Sequence, residues 1–246
     1  MAKNFKITVE YDGTRYHGWQ IQKKDRTIQG EIENALKTMT RKKVNLSGSG
    51  RTDAGVHAFA QVANFRCDTK LSAQTFQKGL NSLLEEDILI KECEEVDETF
   101  HARFDAKKKT YHYRILNRHL PIAIGRQYAW FIRKKLEIDA MGAAISHIIG
   151  THDFKAFEGT GSPRAHTNRK VIKATIEGEK KDYLVFEITA NGFLRYMVRN
   201  IMGTLVDVGL CKITPDDFKA ILLSKDRSLA SATAPPHGLF LMHVDY

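Results

Sequence analysis

Cysteine is scarce in this sequence, which contains only Cys67, Cys93 and Cys211. They are odd in number and far apart, and no C-x-x-C pair or histidine–cysteine spacing accompanies them, which argues against a disulfide framework and against a zinc site. The ten histidines are scattered without a matching cluster of ligands, so we expect ordinary polar roles for them. The sequence therefore predicts a protein that holds no metal.

Long apolar runs are missing as well. No stretch approaches the roughly 18 residues that span a bilayer, and residues 1–5 lack the apolar region of a secretion signal. No long basic amphipathic helix is present that would lie on an anionic membrane surface. These absences predict a cytoplasmic protein without membrane contact.

Acidic residues are outnumbered by basic ones. The 246-residue chain has 38 basic and 29 acidic residues, which gives a net charge of +9 and an isoelectric point near 9.4. This balance favours a polyanionic partner such as nucleic acid, because each phosphate that a protein neutralises releases condensed counterions. The alternative is a basic surface that serves only solubility.

Alternating apolar residues predict strands, and apolar residues at helical spacing predict helices. The predicted strands cover residues 5–11, 44–48, 58–66, 88–95, 110–116, 171–178, 183–189 and 240–246. The predicted helices follow the caps Thr27, Ser72 and Thr214 or cover residues 138–149 and 194–208. Two rounds of strand, helix, strand, strand, helix, strand favour an α+β protein with two ferredoxin-like or RRM-like halves, which we divide into residues 1–105 and 106–246.

The most informative segment covers residues 48–58, with the sequence G-S-G-R-T-D-A-G-V-H-A. Its glycines at positions 48, 50 and 55 allow tight or left-handed turns, which would present Asp53 to a ligand at close range. Arg51 offers a fixed cation for a phosphate or a wedge between stacked bases. A carboxylate held in this way can act as a nucleophile or a base, whereas the ordinary alternative is an aspartate that caps a turn.

Residues 51–58, in the order Arg-Thr-Asp-Ala-Gly-Val-His-Ala, resemble the catalytic signature of the TruA-type tRNA pseudouridine synthases. The resemblance extends over nearly the whole chain, through the segments 11–20, 27–36, 100–104, 109–113, 193–200 and 234–239. The agreement is weakest around residues 159–169.

This resemblance implies two ferredoxin-like halves whose sheets join into one extended, mainly antiparallel sheet with helices on one face, and an active-site cleft between the halves. It also implies a homodimer that isomerises uridine to pseudouridine at positions 38, 39 and 40 of tRNA, in the anticodon stem-loop. Because the reaction requires no redox change, group donor or metal, no cofactor is expected.

The resemblance implies roles for individual residues. Asp53 matches the catalytic carboxylate. Its role stays open between three possibilities: attack on ribose C1′, addition to the uracil ring and abstraction of a ribose proton. Tyr111 matches the residue that stacks on the target uracil, whereas Tyr113 is expected in the core. Arg51 matches the arginine beside the flipped base.

Arg199 lies at the edge of the apolar face of the predicted helix 194–208, where its stem can pack while the guanidinium reaches a cleft. An opposing guanidinium would keep Asp53 ionised and oriented. Gly203, four residues on, would allow a close approach on that side. The alternative is an ordinary surface arginine, which the resemblance disfavours.

Two other classes of protein fit part of the pattern. A non-catalytic RNA-binding protein with RRM-like halves explains the charge, but no RNP1-like string is present and Arg51-Thr52-Asp53 would have no purpose. A glycosylase or methyltransferase is the second, although a methyltransferase usually has a glycine-rich loop that opens a helix, and residues 48–55 lead into a strand.

Residues 157–170, basic and rich in glycine and serine, are either a solvated linker or a loop that binds RNA.

Overall fold

The computed structural model describes residues 2–161, 166–179 and 182–246. Within these ranges the chain has ten strands and five α-helices, which confirms the predicted α+β class. The strands are β1 (Lys3–Tyr11), β2 (Leu46–Gly48), β3 (His57–Cys67), β4 (Ile88–Val96), β5 (Lys108–Asn117), β6 (Trp130–Ile132), β7 (Gly150–Asp153), β8 (Asn168–Glu179), β9 (Tyr183–Ala190) and β10 (Leu239–Asp245). The helices are α1 (Ile28–Thr40), α2 (Ala73–Leu83), α3 (Ile138–Ser146), α4 (Met197–Gly209) and α5 (Pro215–Ser224). None of the helices in the described ranges has the length and hydropathy of a membrane span.

The chain divides into two compact units. Unit 1 contains the residues up to Lys107 together with Phe240–Tyr246, and unit 2 contains Lys108–Leu239. The predicted division at residue 105 lies close to this boundary, but the last strand, which the prediction places in the C-terminal half, groups with unit 1. The physical reason is a short parallel pairing of β10 with the start of β3, where Phe240 faces His57. Local periodicity carries no information about a partner near the other end of the chain.

The strands of unit 1 follow the order β4-β1-β3, with β1 antiparallel to both of its neighbours and β2 antiparallel to the later part of β3. Alternation along β1 puts Phe5 and Ile7 in the core, each 0% exposed. Both predicted caps are confirmed, because the side chains of Thr27 and Ser72 accept a hydrogen bond from an N–H in the first turn of α1 and α2. The connection between β2 and β3 carries Asp53.

The strands of unit 2 follow the antiparallel order β5-β9-β8-β7, and β6 pairs parallel with β5. The cap of α5 is confirmed as a reciprocal pair: Thr214 accepts from the Asp217 N–H, and the Asp217 carboxylate accepts from the Thr214 N–H. Helix α3 ends at Ser146 rather than at residue 149. Helix α4 begins at Met197 rather than at residue 194, because Tyr196 adopts a left-handed φ of 61° that a helix cannot contain.

Candidate active site

Asp53 lies in the connection between β2 and β3, residues 49–56, which we call the acid loop. Its carbonyl oxygen accepts a hydrogen bond from the Val56 N–H at 3.1 Å, which closes a turn with Gly55 at a φ of +76°. Because a side chain at that φ is strained, the predicted role of Gly55 is confirmed. The turn leaves Asp53 half-buried and Arg51 exposed.

The other two glycines of residues 48–58, Gly48 and Gly50, differ from Gly55 in backbone conformation. Neither Gly48 nor Gly50 has a positive φ. Gly48 instead makes room for the side chain of Trp19, since a Cβ at this glycine would lie 2.4 Å from the indole Nε1. Left-handed backbone is therefore needed at one of the three glycines, and close packing is needed at another.

Residues 12–19, which we call the supporting loop, pack directly against the acid loop. The Trp19 N–H donates a hydrogen bond to the Thr52 carbonyl at 3.1 Å. Gly18 has a φ of +87° and lies so close that a Cβ would be 2.5 Å from the same carbonyl oxygen. The residue immediately before Asp53 is thus fixed from one side.

The far end of the acid loop is held in a similar way. The Gly55 N–H donates to the Tyr16 carbonyl at 3.2 Å, and a Cβ at Gly13 would lie 2.0 Å from the Val56 carbonyl oxygen. Residues 11–20 are part of the family resemblance, but no local pattern shows what Gly13 and Gly18 make room for, because those groups follow a different strand.

Buried hydrogen bonds also fasten the acid loop to the strands. The Thr52 and Tyr11 hydroxyls lie 2.7 Å apart, the Ser49 hydroxyl donates to Gln61 Oε1 at 2.6 Å, and Gln61 Nε2 donates to the Gly50 carbonyl at 2.9 Å. A buried polar group that loses its partner costs about 1–3 kcal/mol. The loop therefore has a strong preference for one conformation in the absence of any ligand.

His57, the first residue of β3, follows the acid loop and is 2% exposed. Its Nδ1 lies 3.0 Å from Asp12 Oδ1 and 3.1 Å from the Gly13 nitrogen, and its ring stacks on Phe240 with centroids 4.8 Å apart. When unprotonated, Nδ1 accepts from the Gly13 N–H, and when protonated it donates to Asp12. His57 thus connects β10 and the supporting loop to the acid loop. The motif at residues 51–58 includes His57, but the sequence does not indicate these contacts.

Tyr16 connects the supporting loop to Asp87, the residue immediately before β4. Its hydroxyl donates to Asp87 Oδ1 at 2.6 Å, Arg15 pairs with Asp87 Oδ2 at 2.6 Å, and the Arg26 guanidinium lies 4.9 Å from the Tyr16 ring centroid. Burial, together with the hydrogen bond to Asp87, raises the pKa of the Tyr16 hydroxyl well above its usual value. The hydroxyl therefore remains a donor throughout the physiological pH range.

Tyr111 lies on β5 in unit 2, where it pairs with Ile188 of β9. It is 8% exposed, and its ring meets the Phe193 ring edge-on at a centroid distance of 5.0 Å. Tyr113, two residues on, is fully buried, donates its hydroxyl to the Pro235 carbonyl at 2.7 Å and has its pKa raised by burial. The prediction that Tyr113 belongs to the core is confirmed, and Tyr111 lies at the margin of that core.

Arg199 lies in the first turn of α4 and is half-buried. Its Nε donates to the Ala234 carbonyl at 2.8 Å, the Ala234 N–H donates back to the Arg199 carbonyl at 3.1 Å, and its guanidinium lies 5.0 Å from the Tyr196 ring centroid. The guanidinium of Arg195 contacts the same ring, 4.7 Å from its centroid. The packing of the Arg199 stem and the pairing of its guanidinium with Asp53 both stay predictions.

The segment before β10 packs closely on α4 at Gly203. A Cβ at Gly203 would lie 1.9 Å from the Ala232 carbonyl oxygen, which confirms the predicted close approach. We expect Gly203→Ala to lower the free energy of unfolding in urea by about 2 kcal/mol, because a backbone oxygen cannot rotate away. Gly142→Ala in α3, with nothing within 4 Å of the added Cβ, should raise it by up to about 1 kcal/mol. Similar effects of the two substitutions would contradict this assignment.

The basic segment 157–170 is only partly a loop. Arg164 lies outside the described residues, and Arg169 is on β8, paired with His152 of β7. Contact of this segment with RNA stays a prediction. Within the described ranges, no group of three or more histidine, cysteine, aspartate or glutamate side chains is arranged to hold a metal ion.

A family model described as tRNA pseudouridine synthase matches residues 7–105 and 144–246 of the chain. Asp53, Arg51 and Arg199 lie inside these ranges, and Tyr111 lies between them. The matched ranges therefore include the acid loop and the first turn of α4.

Two relatives are similar to this chain over almost its full length. The tRNA pseudouridine synthase A of Thermoanaerobacter sp. (strain X514) is 49% identical over 244 residues, which are 99% of this chain and 100% of the relative. The tRNA pseudouridine synthase A of Acetivibrio thermocellus is 46% identical with the same coverage. Among solved structures, the archaeal box H/ACA sRNP Nop10–Cbf5 complex is similar at 12% identity and a TM-score of 0.39, over 96% of this chain and 47% of that chain.

Proposed function

Because the chain belongs to the tRNA pseudouridine synthase family, we propose that it isomerises uridine to pseudouridine at positions 38, 39 and 40 of tRNA, with Asp53 as its catalytic carboxylate. Membership of this family makes the protein an isomerase that acts on tRNA. The three positions in the anticodon stem-loop, the homodimer and the cytoplasmic location are parts of the proposal.

The rigid acid loop is the observation that supports Asp53 most directly. Isomerisation breaks the bond between uracil N1 and ribose C1′, turns the base and joins C5 to C1′, while C5 loses a proton and N1 gains one. No electrons are gained or lost, so a positioned carboxylate can supply the chemistry as a nucleophile or a base. Attack on C1′, addition to the uracil ring and abstraction of a ribose proton each require Asp53 to keep a fixed position. The glycine contacts and buried hydrogen bonds of the acid loop support such a position.

The target base must leave its stack before it reacts, which costs a few kcal/mol. We assign Arg51 to the space beside the flipped base, and its exposure next to Asp53 in the acid loop supports this role. We assign Tyr111 to stacking on the uracil. The edge-on contact with Phe193 supports this assignment, since a ring that is already fixed loses little freedom when a base stacks on it.

Arg199 is proposed as the cation that keeps Asp53 ionised and oriented. A guanidinium partner favours the charged carboxylate and holds it through directional hydrogen bonds. The hydrogen bond to the Ala234 carbonyl and the contact with the Tyr196 ring support this role, because they restrict the arginine before substrate binds.

We expect the purified protein to release tritium from tRNA labelled at uracil C5 without any added metal or cofactor, and to do so at the same rate in the presence of a chelator. The reason is that the isomerisation is redox-neutral and transfers no group from a donor. Loss of turnover in chelator, followed by recovery on addition of zinc alone, would contradict the cofactor-free mechanism. A tRNA with cytidine at positions 38, 39 and 40 is the matched substrate control and should release no tritium.

A further inference from the structure

Phe104 differs in exposure from every other phenylalanine, tyrosine and tryptophan in the described ranges. It is 73% exposed, whereas the others there are buried or half-buried. An exposed phenylalanine ring gains nothing for folding, since burial is what makes apolar surface stabilising. Single apolar side chains are common on protein surfaces, so the order of the turn and the groups around the ring carry the argument for a partner.

The turn that displays Phe104, residues 101–105, is tightly hydrogen-bonded. The His101 carbonyl accepts from the N–H groups of Phe104 and Asp105, both at 3.1 Å. The Asp105 carboxylate accepts from the His101 N–H at 2.8 Å, and His101 Nδ1 accepts from the Arg103 N–H at 3.1 Å. The exposed ring therefore projects from an ordered turn.

Ala102 anchors this turn in the core of unit 1. It is 0% exposed, its N–H donates to Asn64 Oδ1 at 2.9 Å, and its carbonyl accepts from the Tyr246 hydroxyl at 2.7 Å. The position of the turn is thus set by hydrogen bonds to both backbone groups of one buried residue.

Two polar groups accompany the ring. The His101 ring lies 4.4 Å from the Phe104 centroid, and the Arg103 guanidinium lies 5.6 Å from it. Three consecutive lysines follow at 107–109, so residues 101–109 carry more positive than negative charge, with Asp105 as their acidic residue. An aromatic face beside a guanidinium, in basic surroundings, matches the requirements of a nucleobase with its phosphate.

We propose that His101, Arg103 and Phe104 form a stacking platform for an unpaired base of the tRNA substrate, distinct from the target uracil. Phe104 stacks on the base, and Arg103 binds an adjacent phosphate. This proposal rests on the proposed function only in taking RNA as the ligand.

The platform is tested by the affinity of the full-length protein for a fluorescein-labelled tRNA transcript, measured by anisotropy. Phe104→Ala and Phe104→Leu should each weaken binding about tenfold, since leucine keeps apolar bulk but has no aromatic face. Phe104→Trp should retain the wild-type affinity, and its additional indole fluorescence should be quenched by tRNA. Leu89→Ala, which trims another exposed apolar side chain of unit 1, 45% exposed, is the control and should bind within about twofold of wild type.

Unchanged affinity of both the alanine and the leucine variants would overturn the platform. So would a change in the oligomeric state of the free protein that appears with alanine and is absent with leucine, because Phe104 would then be an apolar contact between protein chains. Tritium release by the wild type in the same preparation tests the proposed function separately, since affinity and turnover are measured independently. If the alanine variant unfolds, the comparison of leucine with tryptophan carries the test.

Discussion

Replacement of Asp53 by asparagine is expected to reduce pseudouridine formation at least about 1,000-fold on every tRNA substrate. Asparagine keeps the size of the side chain and much of its hydrogen bonding, but it removes the charge, the nucleophile and the base. Affinity for tRNA should stay within about tenfold, or about 1.4 kcal/mol, because contacts with the RNA backbone supply most of the binding. Single-turnover tritium release and anisotropy on the same preparations measure the two effects.

The control for this substitution is Asp139→Asn, which makes the same change in net charge at an exposed residue in the first turn of α3. It should leave turnover unchanged, so any effect of charge alone on tRNA binding can be subtracted. Measurable pseudouridine from Asp53→Asn, in protein made in cells without the wild-type enzyme, would remove Asp53 from the centre of the mechanism.

Replacement of Arg199 by alanine is expected to lower turnover about 100-fold, the loss typical of removing one group that stabilises charge during a reaction. The carboxylate of Asp53 remains in this variant but lacks its proposed orienting cation. Arg195→Ala is a closely matched control, because both guanidinium groups contact the Tyr196 ring, at 4.7 Å from Arg195 and 5.0 Å from Arg199. It should leave turnover within about twofold, and single-turnover rates with saturating tRNA distinguish the two variants.

Equal losses from the two alanine substitutions would mean that Arg199 acts by supporting Tyr196 and the start of α4. Arg199→Lys refines the comparison, since it keeps the charge but not the planar guanidinium that contacts Ala234 and Tyr196 at once. We expect partial recovery with lysine if the charge orients Asp53, and no recovery if the contact with Tyr196 is what matters.

Local elements were predictable because their signals lie within a few residues of one another. Thr27, Ser72 and Thr214 cap helices through hydrogen bonds to N–H groups only three residues away, so the sequence contains both partners. The turn at Asp53 was predictable for the same reason, since Gly55 supplies the positive φ that this turn needs. The start of α4 was misplaced because Tyr196, a residue that seldom has a positive φ, adopts one there.

The sequence by itself determined the α+β class, the position of the acid loop, the helix caps and, through its motif, the family. Only the tertiary structure decided which contacts hold that loop. Gly13 and Gly18 pack against its carbonyl groups, and His57 contacts both Asp12 and β10. It also decided that β10 joins unit 1. The physical reason is range, since caps and turns depend on adjacent residues, whereas these contacts join segments that come together only when the chain has closed large loops.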